Sequence, residues 1–244
     1  VQLRASGLAT RQISLDDYFV DRTLTPRDES GEYDFEALEA IDVKLFNEQL
    51  LALLDGQEVE VPRFDFKTGS RKDEGTPTSL EKHGIVLVEG IHGLNEALTV
   101  AIPASMKFKV YCSALTHLNL DRETSMSTTD TRLLRRLVRD RLFRGYSAED
   151  TLNRWASVNR GEYRNIFPFQ EEADVMFNSA LVYEHSLLLI YALPTLMTVQ
   201  RSSPAYIEAR RLIHVLSYFL PIPSERIPHT SILREFMGGS SFYN

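Results

Sequence analysis

Residues 130–146 concentrate six arginines against two acids, Asp130 and Asp140, in a chain that is acidic overall. Arg132, Arg135, Arg136 and Arg139 fall at i, i+3, i+4 and i+7, the spacing of one helical face. Leu133, Leu134, Leu137 and Val138 hold much of the remaining surface. Arg136–Asp140 and Asp140–Arg144 are i,i+4 pairs, and Gly145 stops the run. Guanidinium groups gathered in this way suit phosphate, because the planar fork donates paired hydrogen bonds and stays charged. A solvated basic face has the same pattern. Two acidic positions add to the arginines. Asp16 and Asp17 follow residues 11–15, and an acid pair at the carboxyl end of a strand is a candidate general base, or equally a turn or helix cap. Glu89 ends the apolar run 84–88 and is followed by Gly90 and Gly93. That is the pattern of a magnesium-binding acid, and also of a carboxylate that caps a helix. His92 is expected to pack or bond locally, since no second His or Cys lies at ligand spacing.

Strands alternating with helices would position these groups. Residues 11–15 predict a short buried strand, and 36–54 a helix carrying Leu38, Ile41, Leu45, Leu50, Leu53 and Leu54, ended at Gly56. Residues 59–66 alternate like a strand, with Pro62 suggesting an edge. The polar segment 67–78, containing Gly69, Arg71 and Gly75, has the composition of a substrate-contacting hairpin and equally of an exposed one. The run 84–88 predicts a central strand buried on both faces. Residues 108–113 and 171–178 predict further strands, and Val199 a final edge strand. Ser147 to Asp150 opens a helix through a capping-box-like start. Helices are also expected over 180–192 and 204–219, before a tail kept extended by Pro221, Pro223 and Pro228 and closed by residues 231–236. The class is α/β with a parallel sheet.

The 244 residues fit one large α/β domain or two small ones. A net charge of −7 argues against a general nucleic-acid binder, while leaving the arginine cluster able to hold a small anion. A single cysteine, Cys112, excludes an internal disulfide framework and fits a reducing cytoplasm. No apolar run reaches the roughly 18 residues of a membrane span. The opening residues lack signal-peptide character. They read instead as the last turn of a helix stopped at Gly7, and the missing initiator Met suggests that residues precede Val1. The expected partner is a small molecule, not nucleic acid or membrane.

Four segments occur in a fixed order: Asp16-Asp17-Tyr18, Phe64-Asp65-Phe66, Val88-Glu89-Gly90-Ile91, and the arginine run from Asp130 to Asp140. Together they resemble the uridine kinase / phosphoribulokinase family of P-loop kinases over residues 10–180. With residues 166–174 and the Phe219-Leu-Pro-Ile-Pro tail, the whole chain is similar to a bacterial uridine-kinase-like subgroup. The resemblance implies a P-loop NTPase-like three-layer α/β sandwich with a mostly parallel sheet, a helical Arg-rich lid and a substrate-binding β-hairpin. Residues 1–200 would be the kinase core without its first strand and P-loop, and 201–244 a C-terminal helix and Pro-rich tail packed on it.

The resemblance also implies ATP and Mg²⁺, and phosphoryl transfer to a hydroxyl of a uridine- or cytidine-like nucleoside, giving the 5′-monophosphate. A sugar phosphate or pantothenate-like metabolite is the alternative acceptor. By position, Asp16 matches the acid that takes the hydroxyl proton, and Glu89 the acid near magnesium. Arg136, Arg139 and Arg144 match lid arginines that close over phosphates, with Arg132 beside them on the cofactor side. Phe35, Glu36 and Phe64 match positions facing the nucleoside, joined on the substrate side by Arg71 and Arg136.

Departures from the family accompany these matches. The Gly-x-x-x-x-Gly-Lys-[Ser/Thr] loop is absent from the 244 residues and is expected just before Val1, so the chain as it stands should bind ATP poorly. A hairpin histidine of the nucleoside kinases is Gly69 here, an arginine after the lid glycine is Tyr146, and a helix glutamine is Arg154. These changes bear on the acceptor more than on the reaction class. A non-catalytic nucleotide-binding regulatory module and an α/β domain whose arginine helix meets a partner are the other readings. The C-terminal helix and tail would suit either a cover for the sheet edge or a homo-oligomer contact.

Overall fold

A computed structural model describes residues 2–29, 31–66, 68–116 and 118–242. It divides into two compact units, Val1–Tyr111 with Arg160–Val175, and Cys112–Asn159 with Met176–Asn244. The first unit begins with a short helix, α1 (Gln2–Ala5), strand β1 (Thr10–Ser14) and helix α2 (Val43–Leu54). Short strands β2 (Val59–Val61), β3 (Phe64–Asp65), β4 (Ser70–Arg71) and β5 (Thr76–Thr78) lead to β6 (Ile85–Glu89). Strand β7 (Val110–Ser113) carries the chain into the second unit. There β8 (Leu118–Asn119), β9 (Ser125–Met126) and α3 (Thr128–Arg139) follow; α4 (Ala148–Asn165) passes into the first unit at Arg160, β10 (Val175–Asn178) returns to the second, and α5 (Glu184–Leu196), α6 (Tyr206–Leu216) and α7 (Arg234–Met237) complete it. Among the described residues no helix is long and apolar enough to cross a membrane.

In the first unit β1 and β6 run parallel, in register from Thr10–Ile85 to Ser14–Glu89. β2 with β5, and β3 with β4, form antiparallel hairpin pairs. The expected helix over 36–54 starts at Val43, because the Asp42 side chain accepts from the Leu45 amide and caps it there. Phe46, Leu50 and Leu53 at i, i+4 and i+7 then face a core with Ile13, Leu15, Tyr18 and Leu98. The 84–88 run differs from its expectation. Among the described residues β6 pairs with β1 alone, and Leu87 keeps 43 % of its surface exposed. A continuous apolar sequence shows neither how many neighbours a strand pairs with nor whether both of its faces are covered.

The second unit is helical around α3. Ser127 caps it, accepting from the Asp130 amide at 3.0 Å. Leu133, Leu134, Leu137 and Val138 enter a core with Leu187, Leu188, Leu212 and Leu216. The arginine face of 130–146 is narrower than its spacing suggests. Arg135, at its margin, turns inward and pairs with fully buried Glu184, while Arg132, Arg136 and Arg139 remain half-buried. After Arg139 the helix widens into a π-helical turn over Asp140–Arg144 and stops at Gly145, whose φ of +71° is left-handed. The capping box of α4 forms as expected. The Ser147 amide donates to Asp150 at 3.0 Å, and the Asp150 amide donates to Ser147 Oγ at 3.1 Å. Val199 is buried in a turn after α5 and forms no strand, because its apolar side chain completes the helical core. The C-terminal segment docks on α3 through Arg211, which donates to Asp130 at 3.2 Å.

Candidate functional site

The first unit gathers the acids at the carboxyl ends of its parallel pair. Ser14 lies opposite Glu89 in register, and Asp16 follows in the turn after β1; both Asp16 and Glu89 are exposed. Gly90 keeps the two strand ends close. Its φ is +151°, and a Cβ there would stand 2.7 Å from Leu15 Cβ, next to Asp16. Neighbouring His92 is 1 % exposed, and burial pushes the pKa of its imidazole below the usual value, which favours a neutral ring.

The β3–β4 hairpin forms a wall beside Asp16. The Phe64 amide donates to Asp17 Oδ1 at 3.3 Å. Phe64 is half-buried, its ring 5.6 Å from Phe19 and 5.1 Å from Phe66. Arg71 fastens this wall: Nε donates to the Phe19 carbonyl, Nη2 to the Tyr18 carbonyl and Nη1 to Asp42 Oδ2, each at 3.1 Å. Its fork is therefore engaged by the protein itself. Phe35 is exposed, with its ring 5.9 Å from Tyr33, and Glu36 is half-buried. Glu36 lies against the last turns of α4, where Gly161 makes room: a Cβ there would be 2.5 Å from Glu36 Cβ. Beyond these residues the structure identifies Arg22, which lies over Gly69, the position that lacks the expected histidine. Arg22 sits in a polar, turn-rich stretch, and the only signal in the sequence was the missing side chain at 69.

The second unit gathers the arginines around one carboxylate. Asp140 is 2 % exposed and lies 3.3 Å from Arg136 Nε and 3.3 Å from Arg144 Nη1, with the Thr151 hydroxyl donating at 3.2 Å. Both i,i+4 pairs expected from the spacing are present. Arg139 is half-buried with its Nε enclosed and without a hydrogen-bond partner among the described residues. Burial, then the neighbouring Arg144, lowers the affinity of this guanidinium for its proton. Arg136 and Arg144 thus share one carboxylate, and Arg139 lies within the field of Asp140 and Glu235 without a direct ion pair, so donors remain that phosphate oxygens would satisfy. Arg132 is half-buried on the same helix. The two positions noted as departures touch each other: the Arg154 guanidinium stacks 4.7 Å over the Tyr146 ring.

A uridine kinase of Staphylococcus haemolyticus is 28 % identical over 171 residues, 70 % of this chain and 74 % of that protein. A uridine kinase of Clostridium botulinum is 27 % identical over 165 residues, 67 % of this chain and 71 % of that protein. A solved structure described as a possible uridine kinase from Bacillus stearothermophilus covers 72 % of this chain and 76 % of that one, at 15 % identity and a TM-score of 0.44. The profile of the Phosphoribulokinase / Uridine kinase family matches residues 5–184, and the chain belongs to that family.

Proposed function

We propose that this kinase transfers the γ-phosphoryl group of ATP to a hydroxyl of a small molecule, with a uridine- or cytidine-like nucleoside as the first acceptor to test. The observation that carries the reading is the placement of Asp16 and Glu89 at adjacent ends of a parallel pair, held together by Gly90 against Leu15. Asp16 would accept the proton of the acceptor hydroxyl and orient it. Arg136, Arg139 and Arg144 would bind phosphate oxygens and offset the charge that spreads over them. Phe64, with Phe35 and Glu36, would contact the acceptor.

The residues present fit a magnesium ion. Mg²⁺ is commonly held through one or two carboxylates while it keeps several waters, and Glu89 offers such oxygens at an exposed strand end. No group of three or more His, Cys, Asp or Glu able to hold a metal occurs among the described residues, so a tighter all-protein cage is not expected. When bound, the ion would neutralise charge between the phosphates.

A second reading, a non-nucleoside acceptor, is favoured by one observation: Arg22 stands over Gly69 where the family's nucleoside kinases carry histidine. ATP turnover by the intact gene product with Mg²⁺, against nucleosides, sugar phosphates and pantothenate, separates these cases. Phosphorylation of uridine or cytidine supports the first reading, and turnover only with another hydroxyl compound supports the second. No turnover from folded protein with any acceptor would overturn both in favour of a non-catalytic nucleotide-binding module.

A further inference from the structure

Arg135 leaves the arginine face of α3 and turns into the second unit, where it is 7 % exposed. Its Nε and both Nη atoms donate within the protein. Nε and Nη2 donate to Glu184 Oε2 at the start of α5. Nη1 donates to the Ser179 hydroxyl at 3.1 Å, and Nη2 to the Ser179 carbonyl at 2.8 Å. The Phe236 ring of α7 covers the guanidinium, its centroid 5.2 Å from Cζ. Ser179 follows β10, and its amide donates to the Ser113 carbonyl at the end of β7 at 2.8 Å. Directional bonds thus run from α3 to the start of α5 and to the ends of two strands.

Such a pair is a poor device for stability. Glu184 is fully buried, and its Oε1 has no hydrogen-bond partner among the described residues. Taking both charges out of water offsets much of their attraction, and apolar residues of similar volume often hold a fold as well or better. What apolar contacts do not supply is the directionality of a hydrogen bond. Arg136 is the next residue of α3, and Arg139 lies one turn beyond Arg135, so the rotation of the helix about its axis sets where both point. A rotation of about 20° moves a group about 5–6 Å from a helix axis by about 2 Å. A displacement of about 1 Å at a reacting centre can cost roughly 10²-fold in rate.

We propose that Arg135 and Glu184 are positioning residues, whose buried pair fixes the rotation of α3 that aims Arg136 and Arg139 at the phosphates of ATP. The proposal rests on the assignment of those two arginines to phosphate. Arg135 and Glu184 are themselves enclosed, and act through the helix.

Calorimetric binding of ATP with Mg²⁺ to the intact gene product, beside urea unfolding, tests this. Arg135→Met combined with Glu184→Leu replaces the pair by apolar groups. Its urea midpoint should equal or exceed that of the wild type, while ATP binds at least about tenfold more weakly. Arg135→Lys keeps a cation opposite Glu184 without the fork, and should remain folded while losing ATP affinity at least about threefold. Arg139→Met should weaken ATP binding by at least about tenfold in the wild type and much less in the double variant, since residues that act through one another are not additive. Wild-type ATP affinity in the folded double variant or in Arg135→Lys would overturn the proposal. So would an Arg139→Met loss of full size in the double variant. Either result would leave Arg139 on the phosphates. A double variant whose urea midpoint falls together with its ATP affinity would make the pair structural, and would also overturn it. Arg139→Met without effect on ATP binding in the wild type would instead remove the phosphate role beneath the proposal, and the proposal with it.

Discussion

Gly90 lies against Leu15 so closely that any side-chain carbon would stand 2.7 Å from Leu15 Cβ and 2.8 Å from its Cδ1. Leu15 is 2 % exposed and cannot yield without disturbing the core of the first unit. The turn that follows Glu89 is thereby set against the residue that precedes Asp16. Gly90→Ala should cost roughly 1–3 kcal/mol through overpacking and a backbone conformation that alanine resists. Turnover should fall at least tenfold as the two acids separate. Urea unfolding and steady-state rates measure both, and a variant as stable and active as the wild type would remove this contact from the account of the site.

Asp16 and Glu89 are exposed, so their removal should act on chemistry rather than on folding. Asp16→Asn should keep stability within about 0.5 kcal/mol and lower kcat by roughly 10²–10⁴, the usual worth of a positioned base. Glu89→Gln should raise the Mg²⁺ concentration needed for half-maximal rate. A magnesium titration of the three proteins distinguishes the roles. Equal magnesium dependence in wild type and Glu89→Gln would exclude Glu89 from the metal's surroundings.

Arg139 is held at some cost to the fold. Its Nε is enclosed without a hydrogen-bond partner among the described residues, and burial together with Arg144 disfavours its charge. Replacement by methionine keeps the stem and removes the buried charge. We expect Arg139→Met to be as stable as the wild type or up to about 1 kcal/mol more stable. Its kcat/KM for ATP should fall by at least about 10²-fold. A variant that is both less stable and fully active would show the opposite, a structural arginine.

Local spacing made the arginine helix, its two pairs to Asp140 and the capping box of Ser147 and Asp150 legible, because each depends on residues within one turn. The inward fate of Arg135 was not legible, since it is decided by Glu184 on another helix. The apolar run of β6 likewise could not tell that, among the described residues, it would pair with β1 alone. At the candidate site, the acids after β1 and β6 stood out as acids at strand ends. The contacts of Arg22 with Gly69 and of Arg154 with Tyr146 were not legible, since only packing brings these residues together.

His185 gives the second unit a pH dependence of definite sign. It is 2 % exposed, its Nε2 lies 2.9 Å from the Thr131 hydroxyl, and its pKa is lowered to about 4 by burial and then by Arg135, against a smaller opposing effect of Asp130. Between pH 6.5 and 4 the unfolded chain therefore binds a proton that the folded chain refuses. Stability should fall with pH across that window, by up to about 1.4 kcal/mol per unit. Adjacent Glu184 acts in the other direction. Burial raises its carboxyl despite Arg135, so its protonation on acidification favours the folded state. Comparison with His185→Gln isolates the histidine. The variant should be less stable at pH 7 through lost contacts, and the gap should close as pH falls toward 4. Urea midpoints at pH 7, 6 and 5 read this directly, and parallel curves for the two proteins would show that the folded state does not hold the imidazole neutral.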